Sequence, residues 1–152
     1  MHSQNIEKLQ RLCAIVPHLL RQIPEVNLSS RPAPAKWSKK EILGHLIDSA
    51  TSNHQRFIRA QFEDVPVISY DQNKWNECSY YNEIDSHQLI DFWTTYNLHL
   101  AALVSVIPAD KLKRLCNTGG IENVTLEWLF NDYVSHLVHH LYQILPDLSP
   151  EL

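Results

Sequence analysis

Apolar residues recur at helical spacing in four separate segments, and this pattern constrains the fold more than any other feature of the chain. The segments begin near residues 3, 38, 86 and 125, and they end near residues 22, 62, 107 and 145. Only three glycines occur among 152 residues, which argues against a turn-rich β fold. The sequence therefore predicts an all-α protein with four principal helices.

Local signals refine the ends of these segments. Ser38-Lys-Lys-Glu41 forms a capping box, which predicts the start of the second helix. Pro17 lies inside the first segment and predicts a kinked or shortened helix. Residues 64–84 are polar and aromatic without a helical period, so they predict a long loop, of the kind that compact domains usually keep for function. The stretch 110–123 predicts an irregular connection.

Length and charge limit the function classes. A chain of 152 residues and 17.7 kDa fits one domain over residues 1–152. With 13 basic and 17 acidic side chains and no basic run, nucleic acid is not the expected partner. The N-terminal residues lack a signal pattern, and no segment reaches the roughly 18 apolar residues of a membrane span. We therefore expect a cytoplasmic protein without a membrane partner. Three scattered cysteines predict reduced, structural thiols.

Two histidines on the fourth predicted helix form a candidate metal-binding pair. His136 and His140 are four residues apart, so both imidazoles project from one face and can share one ion. With successive residues about 100° apart, His140 falls inside the apolar arc of this helix and His136 falls on its edge. His139 falls on the opposite side and should face solvent.

The second predicted helix offers two candidates for a third ligand. His45 lies at the border of its apolar arc, and His54 also falls within that arc, so periodicity alone does not separate them. Either histidine would complete a three-histidine site with an open coordination position.

Several other side chains are candidates for proton transfer or substrate contact near such a site. Asp48 lies one turn beyond His45 and could handle a proton, orient His45 or bond a water on the ion. Arg56 lies about 20° from His45 on the helical wheel and could pair with an acidic substrate group or with a neighbouring acid. The candidates for contact with substrate are Arg56, Tyr70, Asp71 and Trp75, together with Gln143 one turn past His140.

Two sequence patterns resemble those of one known family. The run from Trp37-Ser-Lys-Lys-Glu-Ile-Leu-Gly-His45-Leu-Ile-Asp48 to Asn53-His-Gln-Arg-Phe57 resembles the second-helix signature of the DinB/YfiT-like superfamily of metal-dependent hydrolases. The pattern His136-x-x-His139-His140-x-x-Gln143-Ile144 resembles the last-helix signature, and the run from Tyr70 to Trp75 resembles the YfiT-like branch. The run Ser49-Ala50-Thr51 departs from the family, whose members often have polar or histidine residues there.

The resemblance implies a four-helix bundle that binds one divalent ion, typically zinc or nickel, through His45, His136 and His140. It favours His45 over His54 as the third ligand. It also implies a hydrolase, or a transferase that uses a low-molecular-weight thiol, acting on a small-molecule substrate. The alternatives are a non-catalytic or stress-related bundle with a vestigial or structural metal site, and an interaction bundle without metal. A homodimer is compatible with each of these.

Overall fold

Four long helices form the bundle that the sequence predicts. A computed structural model describes residues 2–150 of the chain, residue 2 through its backbone only. In chain order the helices are α1 (His2–Arg21), α2 (Glu25–Ser29), α3 (Lys39–Arg59), α4 (Gln72–Ser79), α5 (Ser86–Val106), α6 (Ala109–Leu112) and α7 (Leu126–Ile144), with strands β1 (Leu115–Asn117) and β2 (Asn123–Thr125) before α7. The all-α prediction and the four principal helices are confirmed.

The long helices pack so that α1 and α3 each contact both α5 and α7. Helix α3 is therefore covered on two sides, which explains why most of its residues from Lys40 to Phe57 are buried. Large side chains fill the space between the helices, and Trp93, Phe130 and Tyr133 are almost completely buried. Burial of each such apolar side chain contributes about 1.5–3 kcal/mol, so the core alone can hold the bundle together.

The start of α3 is fixed by the predicted capping box. The Ser38 hydroxyl accepts from the backbone N–H of Glu41 at 3.0 Å, and the Glu41 carboxylate accepts from the backbone N–H of Ser38 at 2.8 Å. Arg31 donates to the same carboxylate. Buried Lys40 donates to Glu25 on α2 at 2.9 Å. These contacts anchor the segment before α3, about two turns ahead of His45.

Of the two outcomes predicted at Pro17, a kinked or a shortened helix, the structure contradicts the second. Helix α1 continues through this residue to Arg21 and is not shortened. Val16 and Leu20 on either side are fully buried, so the packing of this turn offsets the backbone hydrogen bond that proline cannot donate.

The prediction of a loop over residues 64–84 was wrong for its second half. Helix α4 occupies Gln72–Ser79, and a 3-10 turn follows at Tyr81–Glu83. The Asp71 side chain caps α4 by accepting from two backbone N–H groups of its first turn. Asn76 is the one buried residue of this helix. A helix without an apolar stripe leaves no periodic signal in the sequence.

The connection before α7 is more regular than the sequence suggests. Strands β1 and β2 pair antiparallel, with Cys116 opposite Val124. Gly119 takes the positive φ of 99° that the intervening turn requires. Thr125 then caps α7 by accepting from the N–H of Trp128. Within residues 2–150, no helix is long and apolar enough to cross a membrane.

Candidate metal centre

Three histidines converge where α3 packs against α7. The Nε2 atom of His136 lies 3.2 Å from Nε2 of His45 and 3.1 Å from Nε2 of His140. One ligand atom from each of the three histidines lies within 4.8 Å of the other two. Among the described side chains, this is the group of three or more His, Cys, Asp or Glu residues that could hold a metal ion.

The local helical geometry produces this convergence. His136 and His140 are one turn apart on α7, and both are half-buried at the edge of its apolar face. His45 is only 1% exposed because it projects from the side of α3 that meets α7. His139 is exposed, as the wheel predicts.

The buried position keeps these imidazoles neutral. Burial, followed by the neighbouring histidines His136 and His140, lowers the pKa of His45 to about 3. Burial, followed by the neighbouring histidines His140 and His139, lowers the pKa of His136 to about 4. Burial also lowers the pKa of His140, although its hydrogen bond to Gln143 opposes that effect. Near pH 7 all three rings are thus in the neutral form that binds metal ions.

The donor set fits a divalent ion. Bonds of about 2.0–2.1 Å from a tetrahedral ion to nitrogen place two ligand atoms roughly 3.3 Å apart, close to the 3.1 and 3.2 Å observed here. The Nδ1 atom of His140 lies 2.8 Å from Oε1 of Gln143, an acceptor, so Nδ1 carries the proton and Nε2 keeps its lone pair for the cluster. Gln143, a candidate for substrate contact, thus orients His140. The Nδ1 atom of His45 is buried and has no hydrogen-bond partner among residues 2–150.

Asp48 forms a buried pair with a tyrosine that the sequence did not single out. The Tyr81 hydroxyl donates to Oδ1 of Asp48 at 2.5 Å. No hydrogen bond joins Asp48 to His45, and Oδ2 of Asp48 has no partner among residues 2–150. Burial raises the pKa of Asp48 to about 6, although the bond from Tyr81 acts in the opposite direction. The pKa of Asp48 therefore lies closer to neutral pH than that of an ordinary aspartate.

A glycine makes room for this tyrosine. A Cβ atom at position 44 would lie 2.1 Å from the Tyr81 ring, so the ring rests directly on the backbone of α3. The absence of a side chain at Gly44, next to His45, lets the Tyr81 hydroxyl reach Asp48.

A small polar pocket adjoins the histidine group through His136. It has a volume of about 220 Å³, and its walls include Ser49, Asn53 and Arg56 of α3. Tyr70 and Asp132 also line it. Helix α3 thus supplies both His45 and the floor of a pocket beside the cluster.

The candidates for substrate contact at Tyr70, Asp71 and Trp75 differ in their distance from the pocket. Tyr70 lines the pocket and packs edge-on against Trp75, with ring centroids 5.6 Å apart. Trp75 is exposed on α4. Asp71 is exposed and serves as the cap of α4. Of these three loop residues, only Tyr70 borders the pocket.

A second, larger pocket of about 450 Å³ lies between the segment before α3 and α4. Its walls include Trp37 and Tyr81. The Trp37 ring lies against His45, with centroids 5.0 Å apart. Sequence reasoning missed both aromatic residues, because Trp37 precedes its helix and Tyr81 falls in a segment without periodicity. The sequence indicates the position of Tyr81 only through Gly44, which leaves room for a ring on α3. That role can be recognised only after the structure shows that Tyr81 packs there.

His54, the rival third ligand, lies on another side of α3. Its Nδ1 atom is 3.0 Å from the Tyr96 hydroxyl of α5, and its ring centroid is 5.3 Å from that of His99. It is not a member of the three-histidine group.

Known proteins share this architecture. A family model described as the DinB superfamily matches residues 8–144. The protein named "Putative metal-dependent hydrolase YfiT" of Bacillus subtilis (strain 168) is 27% identical over 135 residues, which cover 85% of this chain and 76% of YfiT. The solved structure of YfiT, described as a probable metal-dependent hydrolase with an unusual four-helix bundle topology, has a TM-score of 0.86. At 22% identity this match covers 95% of this chain and 84% of that structure, and it establishes the shared fold. Because the family model matches most of its length, the chain belongs to the DinB superfamily.

Proposed function

We propose that this protein is a metal-dependent enzyme acting on a small molecule, and that His45, His136 and His140 bind its one divalent ion. The observation that carries the proposal is the convergence of three neutral imidazoles in a buried position beside a pocket. The relationship to YfiT, whose name refers to metal-dependent hydrolysis, supports the same class of activity.

Zinc and nickel are the proposed ions, because imidazole nitrogen suits both and the nitrogen spacing fits a tetrahedral zinc site. An ion held by three neutral ligands keeps its full positive charge, and it supplies a Lewis acid for hydrolysis or for activation of a low-molecular-weight thiol.

The surrounding side chains have distinct tasks in this proposal. Asp48 accepts or releases a proton through Oδ2, since its pKa of about 6 lies near the working pH. Tyr81 holds the other carboxylate oxygen and thereby orients Asp48. Trp37 covers one face of His45 and excludes water from it. Tyr70 forms part of the wall of the pocket where substrate binds.

Metal content is the first test. Protein purified without a histidine tag should contain close to one zinc or nickel ion per chain by elemental analysis. A content below about a tenth of an ion per chain, even after incubation with either metal, would contradict the proposal.

Activity is the second test. The metal-loaded protein should hydrolyse members of a panel of small esters and amides, or join a small thiol to an electrophile. Asp48→Asn should lower the rate and change its pH dependence while metal content stays the same. A fully loaded protein that is inactive on every substrate would indicate a structural or vestigial metal site instead.

A further inference from the structure

The guanidinium of Arg56 is buried without an acidic partner. The residue is only 8% exposed, yet its hydrogen-bond acceptors among residues 2–150 are neutral: the backbone oxygen of Ile68 and Oδ1 of Asn53. Arginine remains charged at any physiological pH, so a full positive charge is held out of water here. Burial of a charge that has no ion-pair partner is costly, and a bound anion would offset that cost.

The hydrogen bonds of Arg56 leave part of its donor capacity unused. A guanidinium has five N–H donors. Nε and Nη2 donate to Ile68 at 3.0 and 2.7 Å, and Nη1 donates to Asn53 at 3.3 Å. One N–H on each terminal nitrogen therefore has no acceptor among these contacts. Two terminal N–H groups are the donors with which arginine binds a carboxylate in a bidentate manner.

The pocket brings this guanidinium close to one member of the histidine group. Arg56 and His136 both line the same cavity of about 220 Å³. Arg56 follows His45 by 11 residues, which is close to three full helical turns, so both project from one side of α3. A small molecule in the pocket can contact both His136 and the guanidinium.

The pocket favours a single negative charge. Asp132 also lines it and attracts the Arg56 guanidinium electrostatically, but Asp132 is exposed and not within ion-pair distance. Its carboxylate, together with the Asn53 oxygen, would repel a doubly charged phosphate more strongly than a carboxylate.

We infer that the pocket beside His136 is an anion subsite, in which Arg56 binds a carboxylate carried by the substrate. The subsite rests on the proposed function, because the other end of the same substrate would react at the three histidines. The substrate class is then a small carboxylic acid whose reactive group lies a short chain away from its carboxylate.

Two matched thiols test the subsite. The probes are 3-mercaptopropionate and 3-mercaptopropionamide, which have the same shape and differ in the charge of one end. The protein is loaded with Co²⁺, because cobalt thiolates have a strong near-ultraviolet absorption that reports binding without any turnover. The carboxylate should bind at least about tenfold more tightly than the amide, as expected for hydrogen bonds from a charged group. Equal affinities would overturn the subsite.

Variants then assign the effect to Arg56. Arg56→Gln should reduce the preference for the carboxylate to less than about twofold while cobalt content is unchanged. Arg59→Gln is the matched control. Arg59 lies on the same helix, pairs with Glu63 at 2.6 Å and does not line the pocket. A preference that persists in Arg56→Gln would overturn the assignment.

Wild-type protein provides a measurement that does not depend on folding of the variant. Added propionate should weaken the binding of both probes, because they occupy the same pocket, and propionamide should be at least about tenfold less effective as a competitor. Equal competition by propionate and propionamide would overturn the subsite.

Failure of the metal site itself gives a different result. If the wild type binds no cobalt, the proposed function fails, and the subsite is decided on the metal-free protein. Propionate should then raise its melting temperature more than propionamide does, in the wild type and in Arg59→Gln but not in Arg56→Gln. Equal shifts with the two compounds would overturn the subsite as well.

Discussion

Two groups of histidines lie on different sides of α3, and they differ in what surrounds them. His45 faces α7, where its Nε2 atom lies 3.2 Å from Nε2 of His136. That atom in turn lies 3.1 Å from Nε2 of His140. His54 faces α5, where the Tyr96 hydroxyl lies 3.0 Å from its Nδ1 atom and exposed His99 is its neighbour. The first group converges on a common point, whereas His54 already has a hydrogen-bond partner.

The difference teaches that burial alone does not identify a metal ligand. Burial lowers the pKa of His54 as it lowers that of His45, so both rings are neutral near pH 7. What separates them is the number of other nitrogens within reach, because two ligands hold a divalent ion far less tightly than three.

Loss of metal should follow from changes in the first group only. His45→Ala, His136→Ala and His140→Ala should each abolish stoichiometric binding of zinc or nickel, because each leaves two nitrogens. His54→Ala should retain about one ion per chain in elemental analysis. Retention in His45→Ala together with loss in His54→Ala would reverse the assignment of the two groups.

Removal of the ion should lower stability without unfolding the bundle. The apolar core holds the helices together, so the helical circular-dichroism signal at room temperature should survive a chelator. The melting temperature should fall, since a ligand present at a thousandfold its dissociation constant contributes about 4 kcal/mol. The chelator should have the same effect on His54→Ala and none on His45→Ala. Complete unfolding by the chelator would instead make the ion structural.

Acid should destabilise the metal-free protein. The pKa values of His45 and His136 in the folded state, about 3 and 4, lie below the ordinary value of 6.5, so the unfolded chain binds more protons between these values. Each histidine then removes up to about 1.4 kcal/mol of unfolding free energy per pH unit as the pH falls below about 6.5. Asp48 acts oppositely, because its raised pKa of about 6 stabilises the folded state most at low pH and loses this contribution as the pH rises toward 6.

Urea unfolding of the metal-free protein at several pH values measures this slope. The His45→Gln variant should flatten it, while His54→Gln, whose ring is less buried, should flatten it less. A slope that is unchanged in His45→Gln would show that this ring is not held neutral in the folded protein.

A methyl group beside the first histidine group should have a smaller effect. In Gly44→Ala the new Cβ would overlap the Tyr81 ring, and overpacking of this kind costs about 1–3 kcal/mol of unfolding free energy. Gly120→Ala is the control, since nothing lies within 4 Å of a Cβ at that position. Equal stability of the two variants in urea would mean that Tyr81 is not packed on α3 as described.

Much of the fold could be predicted because its signals are local. The apolar stripes of α1, α3, α5 and α7 and the capping box at Ser38 each arise within one segment of chain. Helix α4 could not be found in this way, because it buries a single residue and is held by a cap and by contacts with α3. The path of α1 through Pro17 was also hidden, since packing by other helices offsets the local penalty.

By itself, the sequence determined an all-α chain and a histidine pair on one face of α7, since spacing along a helix fixes direction around its axis. Resemblance to a known family favoured His45 over His54, but periodicity did not separate them. Only the tertiary structure decided which histidine stands beside that pair, because α3 lies between α5 and α7 and both of its sides point inward. The placement of Tyr81 on Gly44 and of Arg56 beside His136 depends in the same way on how separate segments pack.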